Sequence, residues 1–188
     1  MARKLDQILV IDVESTCWRR FEIPDDEISE IIEIGLCLVD PPSLTRHGKR
    51  SLMIAPQRSR VSDFCTELTS ITPQMVANAP PLAHGIQVLR EEYASEDRVF
   101  ASWGDYDRNQ FQRNCKSFGL RYPFGPTHLN VKTLFSLAFG LPKELGIDEA
   151  FQHLGRKMDG QHHRGVDDAW NIAELLCLLL KRMRRGVG

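Results

Sequence analysis

The feature that most constrains this chain is an uninterrupted apolar run near its start, Gln7 to Val13 (QILVIDV), which ends on carboxylates at two alternate positions, Asp12 and Glu14. A continuous apolar run of this length reads as a central strand covered on both faces. Side chains alternate along a strand, so residues two apart share a face, and Asp12 and Glu14 point at one place. Like charges held together repel, and one takes up a proton unless a cation binds between them. Hard oxygen ligands favour magnesium or manganese. Taken alone, the pair also fits a solvated strand end that needs no metal.

Bulk properties narrow the class. A chain of 188 residues can bury a real core as one domain, read here as residues 1–188. The net charge of −1 means that any nucleic-acid contact has to come from a local patch. The five cysteines (Cys17, Cys37, Cys65, Cys115, Cys177) are scattered, without a CxxC pair. That argues against a disulfide framework or zinc cluster and fits a reducing cytosol. Met1 to Gln7 lacks a secretory apolar region, and the run near Leu175 to Leu180 is too short to span a bilayer. The expectation is a cytoplasmic protein with no membrane role and no obligate protein partner.

Further strands are predicted at Glu30–Asp40, stopped by Pro41 and Pro42, and at Lys49–Ile54. With the first they form an antiparallel meander. Helical patterns follow at Thr72–Ala77, Leu82–Ala94, Asp107–Phe118, Lys132–Phe139 and Ile147–Leu154. Short strands at Arg98–Trp103 and His128–Val131 separate them. A last helix from about Asp167 to Met183 ends in Lys181, Arg182, Arg184 and Arg185, with Gly186 as its stop. This order predicts an α/β domain with a mixed five-stranded sheet flanked by helices.

Two more clusters carry chemistry. In His162-His163-Arg164-Gly165-Val166-Asp167-Asp168, a Gly-containing loop runs into the last helix. One aspartate there is explained by capping; two, preceded by two histidines, are not. His163 stands five residues before Asp168, so the loop can hold an imidazole over a metal held from the helix. An imidazole titrating near neutrality suits a general base acting on the attacking water. In Trp103-Gly104-Asp105-Tyr106-Asp107 a strand turns into a helix. Asp107 is expected as its N-cap, with Tyr106 packing inward; capping alone would also explain it. Together the order D-x-E, D, H-x4-D supplies what a two-metal phosphodiesterase needs.

At this point the chain resembles the DEDDh, or DnaQ-like, 3′–5′ exonucleases of the ribonuclease H-like fold, and within them the Eri-type, KapD-like subfamily. ILVIDVESTCW (Ile8–Trp18) resembles the family's DxExTC motif, and HHRGVDDAWNIA resembles HxGxDD-x-x-NIA. VSDFCTELTSIT (Val61–Thr72) is similar to the subfamily's LSDFCTELTGIT, with Ser70 in place of glycine. The resemblance implies metal ligands at Asp12, Glu14, Asp107 and Asp168, with Asp105 as rival to Asp107, and His163 as base. His162 and Asp167 become neighbours of the site and not ligands. It further implies two Mg²⁺ or Mn²⁺ ions. The 3′-terminal nucleotide would lie against Ser15, Thr16, Phe64 and Trp103. The substrate would be single-stranded or 3′-overhanging nucleic acid, RNA before DNA, released as 5′-monophosphates. The family's accessory nucleic-acid-binding domain has no room in this chain. A single-stranded DNA exonuclease, a catalytically silent binding module and a ribonuclease H-type endonuclease are the rival readings.

Overall fold

In the computed structural model, which describes residues 4–20 and 22–185, the apolar run is the middle strand of the sheet. β1 (Lys4–Ser15), β2 (Ile31–Asp40) and β3 (Thr45–Met53) form the antiparallel meander. β4 (Arg98–Ser102) joins β1 in parallel and β5 (His128–Asn130) joins β4 in parallel, giving the order β3-β2-β1-β4-β5. Around the sheet lie α1 (Asp63–Thr69), α2 (Pro73–Val76), α3 (Leu82–Tyr93), α4 (Tyr106–Phe118), α5 (Val131–Ala138), α6 (Ile147–His153) and α7 (Gly165–Arg185).

The pleat of β1 sorts its side chains between two cores. Ile8 and Val10 meet Phe135 of α5 and Ile172, Leu175, Leu176 and Leu179 of α7. Leu9, Ile11 and Val13 turn the other way, against Ile86 and Leu89 of α3 and Phe111 of α4. Burying each such side chain contributes about 1.5–3 kcal/mol, which fixes the register of β1, because a one-residue slip would exchange the two faces. Asp12 and Glu14 continue the register of Ile8 and Val10. They therefore emerge on the α7 side of the sheet.

What lets α7 reach them is glycine. Gly35 of β2 pairs with Asp12 across the ladder and lies beneath the first residue of α7. A Cβ on Gly35 would stand 1.8 Å from the carbonyl carbon of Gly165, and one on Gly165 would stand 2.9 Å from the carbonyl oxygen of Asp12. Backbone thus touches backbone, and any side chain at either position would push the helix start off the strand.

The differences from the sequence reading are local. β1 and β3 start earlier than predicted, at Lys4 and Thr45, in polar edge stretches without an apolar signal. α1 was not predicted as a helix: its seven residues give too few turns for periodicity. Its start is marked only by Ser62, whose hydroxyl accepts the Cys65 N–H at 3.0 Å. Asp107 is not the N-cap of α4; Asp105 holds that position, and Asp107 lies within the first turn, its side chain buried. Tyr106 does not pack inward but is 52% exposed. α7 begins at Gly165, two residues early, and its predicted stop at Gly186 lies outside the described residues. No helix among the described residues is long and apolar enough to cross a membrane.

Gly35→Ala should destabilise the protein by about 3 kcal/mol, the upper end for overpacking, because only backbone atoms are available to move aside. Urea unfolding checks this; an unchanged midpoint would show that α7 tolerates a wider separation from β2.

Candidate active site

Where β1, the start of α4 and the start of α7 converge, a cavity of about 270 Å³ opens. Asp12, Glu14, Asp107, Asp148, Asp168, His162, His163 and Trp103 line it, with Tyr106 and the turn into α6. Among the described residues lining it there is no lysine or arginine. Five carboxylates thus share a cavity in which the imidazoles of His162 and His163 are the basic side chains among the described lining residues.

Their protonation shows the strain. Burial, then the charges of Asp107, Glu14, Asp168 and Glu33, holds the Asp12 carboxyl well above the usual range. Burial and the neighbouring Asp168 and Glu33 push Glu14 up to about 8. Asp107 is raised to about 7 by burial, although its Oδ1 accepts the Val13 N–H at 2.9 Å. Burial also raises Asp168, opposed by His162 and His163. Ligand oxygens of Asp12, Glu14 and Asp168 all lie within 4.8 Å of one another. An all-oxygen set that resists ionisation by itself is a fit for a hard divalent cation, which removes the repulsion.

The histidine loop is held from several sides. The Asp159 N–H donates to the Asn171 side chain and the Gln161 N–H to Asp167, at 2.9 Å each. Asp167 also takes Lys49 at 2.5 Å, so it faces away from the cavity chemistry. His163 has a left-handed backbone (φ 63°), a sparsely populated conformation for a non-glycine residue. Its N–H donates to Asp168 at 2.9 Å, and burial followed by the proximity of His162 lowers its pKa, favouring the neutral ring. Ser70, the residue replacing glycine in the Val61–Thr72 motif, keeps the left-handed cap of α1 at φ 61°. Its hydroxyl reaches Gln161 at 2.5 Å, tying α1 to this loop.

Not every expected contact appears. Asp105 is half-exposed and faces Arg108 and His128 outside the cavity, whereas Asp107 lines it. Ser15 is buried at the bulge where β1 pairing shifts. Thr16 is fully buried and its hydroxyl is taken by Ile28 O and Glu30 N, so its side chain offers nothing to a ligand. Phe64 does not line the cavity and lies beneath the Arg19 guanidinium, 5.1 Å away. Trp103 does line it, anchored through Nε1 to Leu145 O at 3.1 Å.

Three further residues lie in or beside the cavity. Asp148, at the start of α6, carries no sequence motif and lines the cavity, as does His162, read from the sequence as a neighbour of the site. Glu33 is fully buried and receives the Gly165 N–H at 3.1 Å, Arg164 Nε at 3.2 Å and Ser51 Oγ at 2.5 Å. It stands opposite Glu14 in the β1–β2 ladder and clamps the segment between His163 and α7. A charged residue in the apolar EIIEIGLCLVD stretch was the available signal, since buried carboxylates are rare unless paired.

The fold is of ribonuclease H-like type, and the chain belongs to the Exonuclease (RNase_T) family, whose model matches residues 9–176. Exonucleases of this family use divalent metal ions. Its relatives include the 3′-5′ exonuclease Snipper of Drosophila melanogaster, 26% identical over 195 residues covering 93% of this chain and 69% of Snipper. ERI1 exoribonuclease 2 of Danio rerio is 30% identical over 199 residues, 94% of this chain and 34% of that protein. Human 3′-5′ exoribonuclease 1 is 26% identical over 94% of this chain, which spans 53% of it. The chain therefore spans about half or less of these two exoribonucleases. The nuclease domain of 3′hExo, a DEDDh family member bound to rAMP, superposes with a TM-score of 0.81 at 24% identity, covering 94% of this chain and 92% of that one.

The raised carboxyl pKa values give the metal-free protein a defined pH response. A carboxyl whose pKa is higher folded than unfolded binds its proton more tightly in the native state, so stability falls as pH rises from the unfolded value of ~4 to the folded values of about 7 and about 8. The Tm in chelator should be higher at pH 5 than at pH 8, and Mn²⁺ should restore more of it at pH 8. A chelated protein more stable at pH 8 would contradict the carboxylate cluster.

Proposed function

We propose that residues 1–188 act as one exonuclease domain that hydrolyses 3′-terminal nucleotides of single-stranded or 3′-overhanging nucleic acid, releasing 5′-monophosphates. The observation that carries this reading is the cavity in which Asp12, Glu14, Asp107 and Asp168 converge beside His163. Two divalent cations, Mg²⁺ or Mn²⁺, supply the Lewis-acid charge that in-line displacement at phosphorus needs. The four carboxylates would hold them, with Asp12 central because Asp107, Glu14 and Asp168 all stand close enough to act on its charge. His163 takes the proton of the attacking water, its neutral form favoured by its surroundings.

The strand end at Val13 and Glu14 and the indole of Trp103 line the cavity, and a terminal sugar and base can rest against them; Ser15 supports that strand end from its buried place next to Glu14. Phe64 serves from beyond the cavity, on the α1 side; Thr16 contributes by shaping the strand end. RNA is the preferred substrate, a reading supported by relatives that carry the name exoribonuclease, and the setting is the cytoplasm.

Asp12→Ala should abolish turnover and weaken Mn²⁺ binding measured by calorimetry. His163→Ala should lower kcat by roughly 10²–10⁴-fold, the range for a general base, while Mn²⁺ affinity stays close to wild type. Wild-type turnover in either variant would remove that residue from the site. Matched RNA and DNA oligonucleotides, each with free and blocked 3′ ends, test direction and substrate together. Blocking should stop cleavage and RNA should be degraded faster; cleavage of blocked ends would indicate an endonuclease, and faster DNA turnover would reverse the preference.

A further inference from the structure

One imidazole away from the cavity takes no part in the chemistry above. His128 opens β5 opposite Phe100 of β4, and its side chain is only 5% exposed. Its ring rests on Phe100, centroids 4.8 Å apart, and Phe100 in turn stacks on Phe124 at 4.2 Å. Ser102 lies two residues along β4 on the same face as Phe100. The His128 ring reaches it diagonally, with Nε2 2.8 Å from Ser102 Oγ. At the other side of the ring, Nδ1 stands 3.6 Å from Asp105 Oδ1, too far for a hydrogen bond. Serine, histidine and aspartate in this order suggest a nucleophile, but Ser102 is fully buried and no substrate can reach it. The three residues therefore act on something inside the protein.

The direction of the hydrogen bonds says what that is. The Ser102 hydroxyl donates to Gly104 O at 3.0 Å. A hydroxyl has one proton to give, so Ser102 accepts from His128 and Nε2 carries the hydrogen. Burial, then the charge of Arg108, lowers the His128 pKa against the pull of Asp105, favouring the neutral ring. The one N–H of that ring is thus committed to Ser102. Gly104, with φ 95°, forms the turn from β4 into α4. Fastened by Ser102, this turn delivers Asp107, whose Oδ1 is held on the β1 side by the Val13 N–H at 2.9 Å. The Ser102 hydroxyl also reaches the Asp107 carboxyl and favours its ionised form. Gly104 O and Asp107 are then the two acceptors on the side of the hydroxyl that His128 leaves open.

We propose that His128 is a positioning residue for Asp107: its Nε2–H orients the Ser102 hydroxyl, which fixes the turn into α4 and presents the Asp107 carboxylate to the cavity. His128 itself touches neither a cation nor a nucleotide. It acts as the partner that orients a metal-binding group, a role whose loss weakens cation binding and turnover together. The consequence for turnover rests on the exonuclease reading above.

Three variants of the full chain test this. His128→Phe keeps a ring beside Phe100 and removes the donor, His128→Gln keeps an N–H donor, and Ser102→Ala removes the hydroxyl. Mn²⁺ affinity measured by calorimetry should fall by roughly 10–100-fold in His128→Phe and in Ser102→Ala. It should return most of the way to wild type in His128→Gln. The double variant should lose no more than either single one, because both act through one chain of bonds. At saturating Mn²⁺, kcat on an oligonucleotide should follow the same order while KM holds. A role in packing alone predicts the opposite order, with Phe tolerated and Gln not, and that order would overturn the proposal. So would Mn²⁺ affinity unchanged in both His128→Phe and Ser102→Ala. Nitrogen NMR of the metal-free wild-type protein gives a check that needs no variant to fold: His128 should be protonated at Nε2, and protonation at Nδ1 alone sinks the idea. The two readings fail separately. Mn²⁺ affinity that follows this order in a protein leaving every oligonucleotide intact removes the nuclease and keeps the role of His128. Hydrolysis with Mn²⁺ affinity indifferent to His128 does the reverse.

Discussion

The structure depends on one contact, the backbone-to-backbone approach of Gly35 in β2 and Gly165 at the start of α7. Helices ordinarily keep a side chain's width from a sheet. Here that spacing is removed at one point, and the Gly165 N–H donates into the buried carboxylate of Glu33 while its Cα sits over the carbonyl of Asp12. The apolar stripe of α7, from Ile172 to Leu179, supplies the driving force that presses the helix down. The glycines decide where it lands. Without them a Cβ at either position would push the start of α7, and Asp168 with it, away from Asp12 and Glu14.

Cohesion and repulsion are thereby set against each other in a small volume. Hydrophobic burial brings together carboxylates that each oppose the others' ionisation, as their raised pKa values record. Glu33 and Arg164 act as a counterweight beside them, a paired charge that fixes the loop while remaining outside the cavity. Strain is stored in the same loop, where His163 keeps a left-handed backbone and the surrounding bonds from Asp159, Gln161 and Asp167 prevent it from relaxing.

Much of this was legible in the sequence, for identifiable reasons. The continuous apolar run of β1 could only be a covered strand, and strand alternation then placed Asp12 and Glu14 together. Motif spacing put His163 and Asp168 on the same loop and helix. What was not legible depends on tertiary contact. Asp107 looks like a cap because aspartates at helix starts usually are; its role as acceptor for the Val13 N–H is visible only once β1 and α4 are adjacent. Phe64 and Thr16 follow from the motif but not from its folding, which turns one beneath Arg19 and commits the other to the Glu22–Ser29 loop and its neighbours. Glu33 was hidden because a strand sequence does not say which of its residues will meet a helix terminus.

The carboxylate cluster draws its first members from the beginning of the chain and its last from α7. During synthesis on the ribosome, Asp12 and Glu14 emerge well before Asp168, and Gly165 cannot seat on Gly35 before α7 has left the exit tunnel. The nascent chain therefore carries an incomplete cluster until α7 has emerged. A domain built in the immediate presence of nucleic acid thus completes its acidic site only when α7 arrives, through the order in which its residues are made.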